Sequence, residues 1–387
     1  PPPSPTPSST PKPLATPPPL PSIESVLNLE SMKPRGQRYQ AQVPDTLDLA
    51  ERARLCINVL TRNVEPTRFY AVYQAFTLNN VTRSGLTWNI TGKNARALPL
   101  MRTICGSEEG LEIEFNMMKA LLTQVSADGQ VYYPFGQDGA PVGTSYPLVS
   151  GIAAMTILNW YGRDHNPAWL DWVKLIAHGL ERAAIEVEDR AYYPPECSLS
   201  PDGTWQYSTR WGSERLYPYD PPAEPDFEQQ SMEGTVKYEQ SRPIQVFTFN
   251  YTLNGSENSL DMARRVVRFV MKPGMWEDTG IEGYQGYEHG VWAGHFHGNM
   301  GANHAVLDFA QATGDDRLKQ IMVEAYAQGI RNGMVRMGWF PGWTQPEDFK
   351  RPEYYHSITE LCAVSDMLVL AVMLCDAGLG DYWDDVD

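Results

Sequence analysis

The chain has 387 residues, enough for one large domain or two ordinary ones. Its formal net charge of −16 excludes the basic footprint that nucleic-acid binding needs, and it argues against electrostatic attachment to anionic membranes. Hydrophobic residues make up 42%, so a sizeable core can form, yet no apolar run approaches the roughly 20 residues of a membrane-spanning helix.

Residues 1–22 are mostly Pro, Ser and Thr, a polyproline-like linker that cannot build a core. Linkers of this kind tether secreted enzymes, so the expected location is extracellular or periplasmic. The sequence starts at Pro1 without a signal peptide and stops abruptly at Asp381–Asp387, and we expect it to be a fragment of a longer protein.

From residue 45 onward the pattern is helical. Helices are predicted over Leu47–Val59 and over Glu108–Val125, the latter with Ser107 as N-cap and Glu108 and Glu109 in its first turn. Tyr146–Tyr161 follows, stopped by Gly162, and then the amphipathic Trp169–Val187. Leu260–Val270, Gly298–Ala312, Arg317–Gly329 and Tyr354–Ala377 complete the set. Residues 189–255 break the pattern with turn signals, and Ile244–Asn250 alternates as a strand does. That span reads as a loop-rich insertion.

The helices come in pairs, 146–161 with 169–187 and 298–312 with 317–332, the first of each rich in Gly and Ala. Small residues permit close backbone approach, as an inner ring of helices requires. The expected fold is therefore mainly α, an (α/α) toroid of helical hairpins with long rim loops and a few short strands, spanning residues 23–387. An α-solenoid or a bundle can be built from the same hairpins.

Chemistry concentrates in two places. Glu353–Asp366 holds His356, Glu360, Cys362 and Asp366, groups that are costly to bury without partners. Glu360 and Cys362 could reach one metal ion from a helix start, and Cys362 and Asp366 share a helical face at i,i+4. Four of the seven histidines, His289, His295, His297 and His304, fall between residues 289 and 304. His295 and His297 open a helix, where the dipole keeps imidazole neutral and able to meet sugar hydroxyls or a metal. The HExxH spacing of metalloproteases is missing. Loop acids such as Glu277, Asp278, Glu282, Glu347 and Asp348 suit the carboxyl pair of glycoside hydrolysis. Aromatic residues near Gly and Pro, among them Trp292, Trp343 and Tyr355, offer faces to sugar rings. Five cysteines without a CxxC pair are too scattered for a disulfide framework.

Thr359-Glu-Leu-Cys-Ala363 resembles the E-T-C-A motif of glycoside hydrolase family 127, the β-L-arabinofuranosidases among the six-hairpin glycosidases. His295 with Thr313-Gly-Asp315 is similar to the family's H-A-N-T…T-G-D segment, and Pro346-Glu-Asp-Phe349 to its G-E-x-F stretch. The resemblance implies Glu360 and Cys362 as zinc ligands, His295 as a substrate contact and Glu347 as acid/base. The family completes its zinc site with two adjacent cysteines downstream, and this sequence has no Cys-Cys pair.

The expected function is a glycosidase acting on a polysaccharide or oligosaccharide, arabinofuranosidase-like. Glu347, Glu360, Cys362 and Asp366 would be catalytic. His295, His297, His356, Tyr355, Trp292 and Trp343 would bind substrate, with zinc on Glu360 and Cys362. A metal-independent glycosidase or a polysaccharide lyase, with Arg210 and Arg215 beside Trp211, is the first alternative. A non-catalytic glycan-binding module is the second.

Overall fold

The computed structural model describes residues 16–35, 48–77, 80–83, 87–132, 143–194, 197–201, 205–207, 236–277, 279–344 and 359–386. They form two compact units, one over Thr16–Arg182 with Ser198–Thr204, the other over Ala183–Cys197 and Trp205–Asp387.

The first unit carries α1 (Leu49–Arg62), α2 (Thr87–Cys105), α3 (Leu111–Leu122), α4 (Pro147–Asp164) and α5 (Ala168–Ala183). A three-stranded antiparallel sheet, β1 (Val64–Glu65), β2 (Ala71–Thr77) and β3 (Asn80–Arg83), lies between α1 and α2 in sequence. Asp48 caps α1 by accepting from the amides of Ala50 and Glu51. Gly110, not Ser107, caps α3: Gly110 turns left-handed at φ +67, and Ser107 instead accepts from the Glu109 amide one turn earlier. α4 runs through Gly162 to Asp164 because a single helical glycine costs only about 1 kcal/mol, and His165 takes the left-handed turn instead. α2, with Pro99 inside it, is a helix the periodicity did not announce.

Three helices of this unit meet at a buried charge cluster. Glu114 of α3 accepts from Arg102 of α2 at 2.5 Å and from Arg163 of α4 at 2.7 Å. Burial pulls the Arg163 guanidinium below its usual range, and Glu114 pulls it back. Arg163 also lies 4.1 Å over the Trp160 ring, which meets Trp169 edge-on.

The second unit begins with the hairpin β4 (Ile185–Val187) and β5 (Arg190–Tyr192), so α5 ends before the predicted Val187. Next in sequence is β6 (Cys197–Leu199), whose Ser198 and Leu199 belong to the first unit, and the second unit continues with β7 (Trp205–Tyr207), α6 (Val236–Asn254), α7 (Glu257–Val270), strand β8 (Gly294–His295), α8 (Phe296–Thr313), α9 (Asp316–Asn332), strand β9 (Trp343–Thr344), α10 (Leu361–Asp376) and the short α11 (Trp383–Val386). The strand expected over Ile244–Asn250 is instead the middle of α6, which takes residues 236–254 out of the supposed loop-rich insertion. The physical reason is burial on every face. Ile244, Gln245, Val246, Phe247, Thr248 and Asn250 are all buried, so no 3.6-residue period survives in the hydropathy.

α8 is the packing centre of this unit and touches α6, α7, α9 and α10. Its Gly301 lets α6 come close, since a Cβ there would lie 3.2 Å from the Tyr238 ring. The Thr313-Gly-Asp315 turn works as two caps in succession. Gly314 takes the left-handed C-cap of α8 at φ +71, and Asp315 caps α9 by accepting from the Leu318 amide. Among the described residues no helix is long and apolar enough to cross a membrane.

Candidate active site

Three short segments of the second unit set the site. β8 pairs antiparallel with β9, His295 facing Trp343 in register. Thr359 bridges to Pro341 just upstream of β9. These pairings deliver the start of α8 and the start of α10 to one place. His295 ends β8 as the N-cap of α8, and Glu360 is the N-cap of α10. Asn299, fully buried, donates to the carbonyls of Ala293 and His295 and so fixes the approach to α8.

Two imidazole–carboxylate pairs result. His295 Nε2 lies 2.9 Å from Glu360 Oε2, and His297 Nδ1 lies 2.5 Å from Asp366 Oδ2. The two imidazole centroids are 5.8 Å apart and nearly perpendicular. Trp343 stacks on His295 at 5.0 Å, and Tyr238 of α6 places its hydroxyl 3.1 Å from His297 Nε2. His304, two turns further along α8, meets the backbone carbonyl of Asp366 at 2.9 Å and is kept neutral by its burial. His295 Nδ1 is buried and has no hydrogen-bond partner among the described residues.

Electrostatics divide the roles. Burial pushes the Glu360 carboxyl up, but the hydrogen bond and charge of His295 and the Cys362 thiol outweigh it, and the net pKa falls below the ordinary carboxylate range. Glu360 is thus ionised at neutral pH. Cys362 donates to Glu360 at 3.2 Å. Burial first, and the Glu360 charge second, push its thiol up to about 12.

The expected site residues separate accordingly. His295, His297, Glu360, Cys362, Asp366 and Trp343 come together. Glu347, Tyr355 and His356 lie outside the described residues, as do Arg210, Trp211 and Arg215. Trp292 is a correction. It is fully buried, donates its indole N–H to Ala325 and meets Phe296 edge-on, so it closes the core and offers no face to a sugar. Trp343 is also largely covered, and its face is spent on His295. Tyr238 belongs to the site and carried no sequence signal.

The donor set bears on the metal expectation. Glu360 and Cys362 supply two neighbouring donors, but the described residues contain no group of three His, Cys, Asp or Glu arranged to hold an ion. The described donors alone do not make a zinc site.

No protein-family model and no curated protein matches the sequence. Solved structures do match by fold. A D-mannose isomerase superimposes with a TM-score of 0.54 at 13% identity, over 85% of this chain and 89% of that one. A sugar epimerase from a ruminal bacterium gives 0.53 at 11%, over 87% and 84%. A family 76 glycoside hydrolase from a bovine Bacteroides thetaiotaomicron strain gives 0.51 at 12%, over 90% and 77%. At these identities the likeness concerns the fold alone. The chain is mainly helical, and these solved neighbours are of the α/α-toroid type, the fold class its helical pairs predict.

Proposed function

We propose that the chain is a carbohydrate-active enzyme and that it hydrolyses glycosidic bonds. The observation carrying this reading is the pair of imidazole–carboxylate dyads, His295–Glu360 and His297–Asp366, set side by side at the helix starts. An ionised Glu360 suits stabilisation of the positive charge that builds on the anomeric carbon. Protonation of the leaving oxygen falls to one of the two histidines or to Glu347. Fold likeness to a family 76 glycoside hydrolase supports the class. The Thr359–Ala363 resemblance supports β-L-arabinofuranosides as the first substrates to try. Secretion fits such a role.

The test is hydrolysis of a panel of aryl glycosides, arabinofuranosides included, by the parent protein and by Glu360→Gln. Release of the aglycone by the parent and a loss of about 10²-fold or more in the variant are expected. A panel with no turnover overturns the hydrolase reading.

A second reading, sugar isomerisation or epimerisation, is favoured by the closeness of the two imidazoles, which suits proton removal and return beside a carbonyl. It also draws on the likeness to a D-mannose isomerase and a sugar epimerase. Solvent deuterium entering a carbon of a free aldose or ketose would select it. Zinc on Glu360 and Cys362, completed by donors beyond the described residues, is the metal-dependent form of the hydrolase reading. It requires stoichiometric zinc by elemental analysis, lost in Cys362→Ser and restored with activity only in the parent.

A further inference from the structure

We propose that Tyr238, His297 and Asp366 form a proton relay in which the Tyr238 hydroxyl is the group that exchanges a proton with the sugar. The identity of that sugar rests on the function proposed above; the relay rests on geometry. The three residues come from α6, α8 and α10 and line up as hydroxyl, imidazole and carboxylate, with spacings of 3.1 Å and 2.5 Å.

The chemistry of the groups sets the direction. With Asp366 Oδ2 as the acceptor of the short contact, His297 donates from Nδ1–H and its Nε2 carries the lone pair. Tyr238 therefore donates its O–H to Nε2. The same order, a hydroxyl hydrogen-bonded to an imidazole that a buried carboxylate orients, makes a weak oxygen acid or nucleophile usable at neutral pH. When a sugar hydroxyl loses its proton, the phenolate oxygen of Tyr238 takes it. That phenolate forms as the Tyr238 proton passes to His297 Nε2, leaving an imidazolium paired with the Asp366 carboxylate. In the opposite direction, which starts from that imidazolium, Tyr238 gives its proton to a leaving oxygen and recovers the Nε2 proton of His297, which returns to the neutral imidazole. The proton held on His297 after the first direction is the one the second direction gives back, so the two together balance.

The surroundings hold this alignment tightly. His304 pins the Asp366 backbone carbonyl from two turns along α8. Gly301 allows the Tyr238 ring to lie against α8, with room for no side chain larger than hydrogen unless the ring shifts. The Tyr238 and His297 rings sit 5.0 Å apart and tilted by 55°, not stacked. Tyr238 is 7% exposed, and the side chains of His297 and Asp366 are 15% and 13% exposed, so the relay is shielded from most water.

The experiment uses the full chain, its histidines labelled with nitrogen-15, as parent and as Tyr238→Phe. In the parent, one imidazole should be an Nδ1–H tautomer whose Nε2 resonance carries the signature of an accepted hydrogen bond, and that signature should vanish in Tyr238→Phe. His297→Gln identifies the resonance. An Nε2–H tautomer at His297, or an Nε2 resonance unmoved by Tyr238→Phe, overturns the relay whether or not a substrate is known. On any glycoside the parent turns over, Tyr238→Phe should lower kcat by about 10²-fold with KM within about twofold. Parent-like kcat in Tyr238→Phe overturns the proton-transfer role even if the hydrogen bond is present. A parent inactive on all sugars instead counts against the function proposed above. Should Tyr238→Phe fold poorly, difluorotyrosine at 238 keeps ring and hydroxyl, and its more acidic phenol should move the pH dependence of kcat to lower pH. An unmoved profile counts against the relay.

Discussion

Lys237 of α6 is fully buried, its ammonium 4.0 Å over the Trp276 ring and without a hydrogen-bond partner among the described residues. Burial alone pulls its pKa down to about 7. The folded value lies below the unfolded one, about 10.4, so between these values the unfolded chain holds a proton the folded chain lacks. Stability should rise with pH across that window, by up to about 1.4 kcal/mol per pH unit, and the full penalty should remain below pH 7. Urea midpoints between pH 7 and pH 9 should show this slope, and Lys237→Met should flatten it. A slope unchanged in the variant would mean the ammonium finds solvent. Cys362 gives a second expectation at this scale. With its thiol pushed up to about 12, metal-free protein should be alkylated at Cys362 at least tenfold more slowly than at the exposed Cys56. Mass spectrometry of a time course with iodoacetamide resolves the two sites.

Helix packing in the first unit depends on two devices that are far apart in sequence. Removing the Glu114 charge would take from two buried guanidiniums the carboxylate they share, so Glu114→Gln should destabilise by roughly 3–5 kcal/mol, read as a shift in the denaturant midpoint. A shift under about 1 kcal/mol would mean water reaches the cluster. Gly179 of α5 is pressed against the Gly129 turn, and a Cβ there would lie 2.4 Å from the Gly129 carbonyl carbon. Because the obstacle is backbone, Gly179→Ala should cost about 1–3 kcal/mol or more and should perturb the Asp128–Gln130 turn. Gln130, whose side-chain amide donates to the Gly179 carbonyl, reports that perturbation.

Across the whole molecule, charge governs how a substrate approaches. A net charge of −16 builds a repulsive field toward polyanions, so a neutral glycan can approach freely while a polyuronate is held off. Between about 10 mM and 150 mM salt, kcat/KM for a polyuronate should rise as the field is screened, and for a neutral glycan it should stay level. A fall with salt for the polyuronate would reveal a local cationic surface strong enough to override the global sign.

Much of the helical plan was legible in the sequence because amphipathic helices carry their own period. α7 and α9 were placed to within a few residues, and Gly314 and Asp315 mark the turn from α8 to α9 by cap chemistry. The two chemical clusters were legible too, since histidines, a thiol and acids at apolar helix starts stand out against hydropathy. α6 was not, because burial on all sides erases the period that sequence reading relies on. Tyr238 escaped for a related reason: 59 residues separate it from His297, and only the packing of α6 on α8 brings hydroxyl and imidazole together. Charge, helical class and the set of groups able to do chemistry follow from the amino-acid order alone, since each is a property of a few neighbouring residues. The pairings of His295 with Glu360, and of Tyr238 with His297 and Asp366, came only with the folded chain, because a hydrogen bond depends on angstroms between distant elements and no local pattern encodes them.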